Sequence, residues 1–159
     1  METQIYLNSR FAKNIIDPIF NSSMSFGLVE PILCPKDHHM YVSIATMEIP
    51  NTFTNLSTLS FIVGTNLRTQ HLSSATKCNI LGKVPITSPS NSWIFYYNYY
   101  QFKTRVFNTT IENIDIKLFD DQGNLLNLQG ANFSITIQVD FVKDILVDGD
   151  IQRDDHIAY

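Results

Sequence analysis

Four histidines, two cysteines and a scatter of aspartates are the first side chains to weigh for chemistry in this 159-residue sequence. His38 and His39 could supply imidazole ligands to a metal. Neighbours on a strand point to opposite faces, however, so the pair cannot easily reach one ion, and polar residues at a strand entrance is the plainer reading. His71 sits in a polar loop and His156 in the acidic tail, both without partners in sequence. Asp120, Asp121, Asp140, Asp148 and Asp150 carry the oxygen ligands that calcium prefers. Asp148-Gly149-Asp150 lacks the spacing of an EF-hand loop, and Asp120-Asp121-Gln122-Gly123 suits a hairpin turn for backbone reasons. A nucleophile needs a base and an orienting group beside it, and no Gly-x-Ser-x-Gly elbow or Cys/His signature is present. Gly64, Gly82 and Gly123 form no phosphate-cradling pattern. The expectation is a protein that is not an enzyme and takes no metal or cofactor.

Recognition is the better prospect. Trp93, Phe95, Tyr96, Tyr97, Tyr99, Tyr100 and Phe102 crowd into ten residues. On a strand, Trp93, Phe95 and Tyr97 share one face and Ile94 and Tyr96 the other. One row is expected to be core. Both rows are apolar and the cluster runs on past the strand, so surplus aromatic surface is expected to meet another chain or to stack on a sugar. Few polar neighbours flank the cluster to fix a sugar's hydroxyls, which favours a subunit contact.

The elements that would position this surface are strands. From Arg105 to Phe141 two strictly alternating runs stand out. Ile114, Ile116 and Leu118 share one face of the first, and Phe133, Ile135, Ile137, Val139 and Phe141 one face of the second. Such a period of two buries one face only as a strand with its other side wet. Asp120–Asn124 and Leu128–Asn132 punctuate a short expected strand between them. Upstream, strands are expected at Thr3–Asn8, at Met24–Val29 (stopped by Pro31 and Pro35), at Met40–Ile49 and at Leu59–Val63. Two more are expected at Cys78–Ile86, with Ile80, Val84 and Ile86 on one face, and at Trp93–Tyr97. Met40–Ile49 looks semi-apolar on both faces, as a central strand covered on both sides. One helical turn is expected around Ala12–Ile16.

Eight or nine strands at intervals of about 8–12 residues, with no βαβ rhythm, place the chain in the all-β class. The specific expectation is a single eight-stranded antiparallel jelly-roll sandwich. Its organisation reads as an N-terminal arm with a short strand over 1–22, the jelly-roll domain over 23–142 and an acidic tail over 143–159. Composition agrees: charge is only 16%, and eleven Phe, seven Tyr and one Trp supply the bulk. A net charge of −4 leaves no basic footprint for nucleic acid. No run approaches the roughly 18 apolar residues of a transmembrane helix, and Met1-Glu2-Thr3-Gln4 lacks the opening of a signal peptide. Cys34 and Cys78 read as buried, reduced thiols, and the sequons at Asn21, Asn55, Asn108 and Asn132 carry no weight without a secretory signal.

An ordered set of segments adds a family resemblance. It comprises Ile44-Ala45-Thr46-Met47-Glu48-Ile49-Pro50-Asn51, then Ile80-Leu81-Gly82-Lys83-Val84-Pro85-Ile86, then Ile94-Phe95-Tyr96-Tyr97-Asn98. Ile114-Asp115-Ile116-Lys117-Leu118-Phe119-Asp120-Asp121-Gln122-Gly123-Asn124 and Gly130-Ala131-Asn132-Phe133-Ser134-Ile135-Thr136-Ile137-Gln138 complete it. This order resembles the single jelly-roll minor capsid (penton) proteins of virophages, Polinton-like viruses and related giant-virus lineages, over about Val42 to Phe141. It departs from them at Phe133, where a tryptophan is usual, and in a short insert between Phe61 and Ile80 that lacks a Gly-x-Tyr element.

The resemblance implies a structural virion protein: a homopentamer closing the five-fold vertices of an icosahedral capsid. Its partners would be double jelly-roll major capsid proteins and other minor capsid proteins. It would be made and assembled in the host-cell cytoplasm and reside at the capsid vertex. Trp93, Tyr96, Tyr97, Tyr99, Tyr100 and Phe102 are then expected at lateral or capsid contacts. Ile15, Ile16 and Phe20, with Ile151 and Tyr159, are expected on terminal arms that order on assembly. The alternatives are a carbohydrate-binding jelly roll of lectin or fibre type, stacking sugars on Trp93 and the tyrosines, and a cupin-like enzyme using His38, His39 or His71.

Overall fold

The computed structural model describes residues 2–51, 59–71, 79–99 and 101–144. Two five-stranded antiparallel sheets face each other across one apolar core. The first contains β1 (Glu2–Asn8), β10 (Ser134–Lys143), β4 (His38–Pro50), and both β7 (Trp93–Tyr97) and β8 (Thr104–Val106), which pair with different stretches of β4. The second runs β2 (Asn14–Ile15), β3 (Ser23–Leu33), β9 (Thr110–Phe119), β5 (Ser60–Thr65), β6 (Asn79–Pro85). The all-β antiparallel expectation holds. The described residues form ten strands in place of the eight expected.

The two long alternating runs become β9 and β10, which sit inside their sheets. Ile114, Ile116 and Leu118 face Ile135, Ile137 and Val139 through the core, all buried, with Phe133 and Phe141 closing its ends. β10 is held on both sides, by β1 from Glu2↔Asp140 to Asn8↔Ser134 and by β4 from Ser134↔Glu48 to Lys143↔His38.

Bulges account for most departures from the expected pattern. The β10–β4 register shifts between Thr136 and Ile137, leaving Ala45 as an extra residue. The phase of β4 therefore flips, and Met47 and Ile49 join Met40, Val42 and Ile44 inside. This strand is central in its sheet yet covered on one face only. On β6 the extra residue is Leu81, so Leu81 and Val84 are buried in place of the expected Ile80–Val84–Ile86 row. An extra residue also costs the ladder a partner, which is how one bulge reverses faces without ending a strand. β3 continues through Pro31 because its register with β9 breaks between Gly27 and Ile32. The proline sits where no ladder hydrogen bond is required.

The first twenty-two residues, expected as an arm, enter the body of the fold. Leu7, Ser9, Asn21 and Ser22 are buried. Ser9 Oγ accepts from Phe133 N at 2.9 Å, and its own N–H reaches Phe133 O at 2.9 Å. Asn21, at φ 53°, donates from Nδ2 to Ala131 O at 2.7 Å, and Ser22 Oγ donates to Leu126 O at 2.6 Å. No helix forms over Ala12–Ile16; a 3-10 turn at Ser9–Phe11 precedes β2. The expected strand after Asp120–Asn124 reduces to an isolated Phe119↔Leu125 bridge, with Leu126 and Leu128 plugging the core from the loop. Of the tail, residues 145–159 lie outside the described residues.

Two substitutions test this account. Ile137→Ala removes a side chain sealed on all sides and is expected to cost about 3 kcal/mol in urea unfolding, with the midpoint lowered and the slope kept. Asp120→Ala strands the N–H groups of Gln122 and Asn124, which donate to Asp120 Oδ1 at 2.9 and 2.8 Å. Its expected cost is about 1–3 kcal/mol, with calcium having no effect on either protein.

Candidate interaction surface

β7 settles which aromatic row is core. Ile94 is fully buried and Tyr96 packs inward beside it, while Trp93, Phe95 and Tyr97 stand 51%, 56% and 52% exposed on the outer face. Direct pairing fixes that choice. Ile94 lies opposite Ile49 and Tyr96 opposite Met47, both inward on β4, whereas Phe95 lies opposite Glu48 and Tyr97 opposite Thr46. Tyr96, expected at a contact, is half-buried on the inner side, and Phe95 shares the exposed outer row with Trp93 and Tyr97. Alternation of the sequence already paired Phe95 with Trp93 and Tyr97; the branched Ile94 was the clue to which side turns in.

β7 and β8 lie end to end along one margin of β4, at Thr46–Pro50 and Met40–Val42. Asn98 and residues 101–103 bow out between them beside the Ala45 bulge. Asn98 holds the bow: its N–H reaches Ala45 O at 3.1 Å, and its side chain bonds Phe102 N and O, both at 2.9 Å. The exposed aromatics thus line one edge of the sandwich from Trp93 to Phe107. Tyr97 and Tyr99 rings are 6.0 Å apart, Phe102 packs on His71 at 5.4 Å, and the Arg105 guanidinium covers Phe107 at 5.2 Å. Such contacts hold the rings at defined angles, which lowers the entropy lost when a partner covers them. Tyr100 lies outside the described residues.

Next to this edge, Glu2, Ser43, Asn98, Gln101, Gln138 and Asp140 line a polar cleft of about 410 Å³ on the outer sheet face. Lys103 pairs with Asp140 at 3.0 Å across it, and Gln138 donates to Glu2 at 3.0 Å and to Asp140 at 3.1 Å. The polar groups thought too sparse to orient a sugar are therefore assembled beside Tyr97 by the fold, from strands distant in sequence.

The remaining candidates scatter. Ile15, in β2, and Ile16, just after it, are exposed, and Phe20 is half-buried. Ile151, Tyr159, His156, Asp148, Asp150 and Cys78 lie outside the described residues. His38 Nδ1 contacts Lys36 O at 2.8 Å. His39 Nδ1 lies 2.9 Å from Asp144 Oδ1 and 3.2 Å from an Arg105 nitrogen. That one atom can donate to the carboxylate or accept from the guanidinium, according to the ring's tautomer. Among the described residues, no three His, Cys, Asp or Glu side chains gather closely enough to hold a metal ion, and no helix is long and apolar enough to cross a membrane. No protein-family model matches the chain, and comparison with curated proteins finds no match.

Two protons are held more tightly by the fold than by the open chain. Burial lifts the Cys34 thiol above its ordinary 9.0, with the Asp144 charge adding to it, and burial lifts the Tyr96 phenol above 10.0. The unfolded chain therefore ionises first as pH rises. The contribution of these two groups to stability is full well below pH 9 and is lost as pH rises through 9 to 10 and beyond. Tyr96→Phe keeps the ring and removes one of these groups. Its urea midpoint should fall less than the wild type's between about pH 8 and about pH 10.5.

Proposed function

We propose that this chain is a structural virion protein, a single jelly-roll penton subunit that closes the five-fold vertices of an icosahedral capsid. On this reading it is not an enzyme. It is made in the host-cell cytoplasm, resides in the virion, and touches double jelly-roll major capsid proteins around the vertex.

The strand pairing is the observation that carries the reading. β2 has two residues, and β7 and β8 are two pieces along one margin of β4. Counted as an accessory and as one interrupted strand, they reduce ten strands to eight. The first then pairs with the eighth (β1–β10), the second with the seventh (β3–β9), the third with the sixth (β4–β7/β8) and the fourth with the fifth (β5–β6). A nested order of this kind is what rolling one long hairpin into a sandwich produces, and it supports the jelly-roll reading. The exposed aromatic edge adds the second support, because a ring subunit needs lateral surface that is wasted on a monomer.

The polar cleft beside Tyr97 favours one other reading, a carbohydrate-binding module. Light scattering on the purified protein, with negative-stain images of the same fraction, separates them. Vertex subunits are expected as five-fold rings of roughly five times 18.2 kDa. A stable trimer, or a monomer whose Trp93 and tyrosine fluorescence is quenched by a glycan, overturns the vertex reading.

A further inference from the structure

Resting on that vertex reading, we propose which two surfaces meet in the ring: the β1 edge of one copy docks against the β7/β8 edge of the next.

A cyclic ring joins two different faces, and rotation about an axis along the strands leaves every residue at its own height. The β1 margin of the first sheet and the opposite margin, open along β7 but covered along β8 where Gln70 N donates to Arg105 O and Phe107 N to Arg68 O, can therefore be compared row by row. One row runs Glu2–Asp140–Tyr41–Arg105, and another runs Tyr6–Thr136–Thr46–Tyr97. Glu2 of one copy thus arrives at the level of Arg105 on its neighbour, and Tyr6 at the level of Tyr97. Opposite charges meet in the first row and two exposed aromatic rings in the second. Strand polarity fits as well. β1 and β7 lie three pairings apart, all antiparallel, so the two edges run in opposite directions and can lie side by side as antiparallel neighbours.

Charge and shape extend the match. The upper part of the β1 flank carries Glu2 and Glu30, both exposed, while its cations Arg10 and Lys13 stand at the far end. Across the molecule are Arg105 in the row of Tyr41, Arg68 bonded through its carbonyl to Phe107 N, and Lys103, which already pairs with Asp140. Between β1 and the stretch of β3 that has lost its ladder lies a groove of about 510 Å³ of mixed character, with Ile5, Val29, Ile32 and Phe141 beside Gln4 and Glu30. Val29 is wholly exposed there. Phe107 follows Val106, whose row passes through Met40 to Phe141 at the groove's wall. An exposed ring on one flank and the mixed groove on the other thus share a level. The occupant of the groove is a second copy of this chain, entering with Phe107 while Arg105 meets Glu2.

The test uses the full chain with Cys34→Ser and Cys78→Ser, and Tyr6→Cys with Tyr97→Cys added together or singly. A short thiol cross-linker should convert the double variant into a ladder ending at a closed pentamer, and leave each single variant unlinked. Arg105→Glu should weaken association about tenfold, and Arg105→Glu with Glu2→Arg should restore it. A dimer linked through either single cysteine would reveal a like-with-like contact and overturn the proposal. Five-fold rings seen by light scattering and imaging, but unlinked by the pair and indifferent to both charge changes, would overturn this contact and leave the vertex reading standing. Unassociated protein that the pair does not link would remove both.

Discussion

Everything in this fold leans on β10. Its inward row of Ile135, Ile137, Val139 and Phe141 needs apolar cover, and its outward row of Thr136, Gln138 and Asp140 needs water or polar partners. Only a strand in a one-side-wet sheet meets both demands. Because β1 and β4 both pair along its length, the strand joins the chain's opening to its end. The first sheet is therefore closed by a contact between residues some 130 positions apart. Such pairing commits chain entropy before it returns any burial, so it is the last feature a partly folded chain could keep. Ser9, Asn21 and Ser22 reinforce that closure by satisfying backbone groups of the 126–133 loop, which would otherwise be buried without partners.

What could be read from the residues follows from how each strand is covered. β9 and β10 alternate without interruption, and their inner faces were legible. β4 and β6 were misread because one extra residue reverses every later face, and no single sequence position announces a bulge. Ala45 and Leu81 are ordinary residues there; only the partner strand reveals that they have no opposite. Pro31 misled differently. A proline ends a ladder only where an N–H is needed, and β3 had already parted from β9 at that point.

The surface was legible in content and obscure in arrangement. Aromatic density marked Trp93 to Phe102, and alternation divided it into rows. Assigning the rows took β4, since Ile49 and Met47 draw Ile94 and Tyr96 inward. The opposite flank left no comparable trace. Tyr6, Val29 and Leu33 are far apart in sequence and unremarkable singly, and they become one surface only when β1 and β3 stand at the same margin of the sandwich.

The position of the aromatics at a sheet margin bears on what covers them. A margin presents unpaired N–H and C=O groups as well as side chains, and a soluble monomer ordinarily shields such an edge with charge, proline or a covering loop. Here β1 and β7 leave large apolar groups at the two margins of the first sheet, while β8 is covered by the 68–70 segment, which bonds Arg105 and Phe107. The cationic side chains near the aromatic edge, Lys103 and Arg105, are themselves engaged, with Asp140 and with His39 and Phe107. A sugar would use the ring faces and the cleft but leave the strand margins as they are. A neighbouring protein edge can cover rings and margin together, and it is the larger surface that calls for an explanation. That asymmetry, more than the number of aromatic residues, is why a subunit contact accounts for this flank better than a saccharide does.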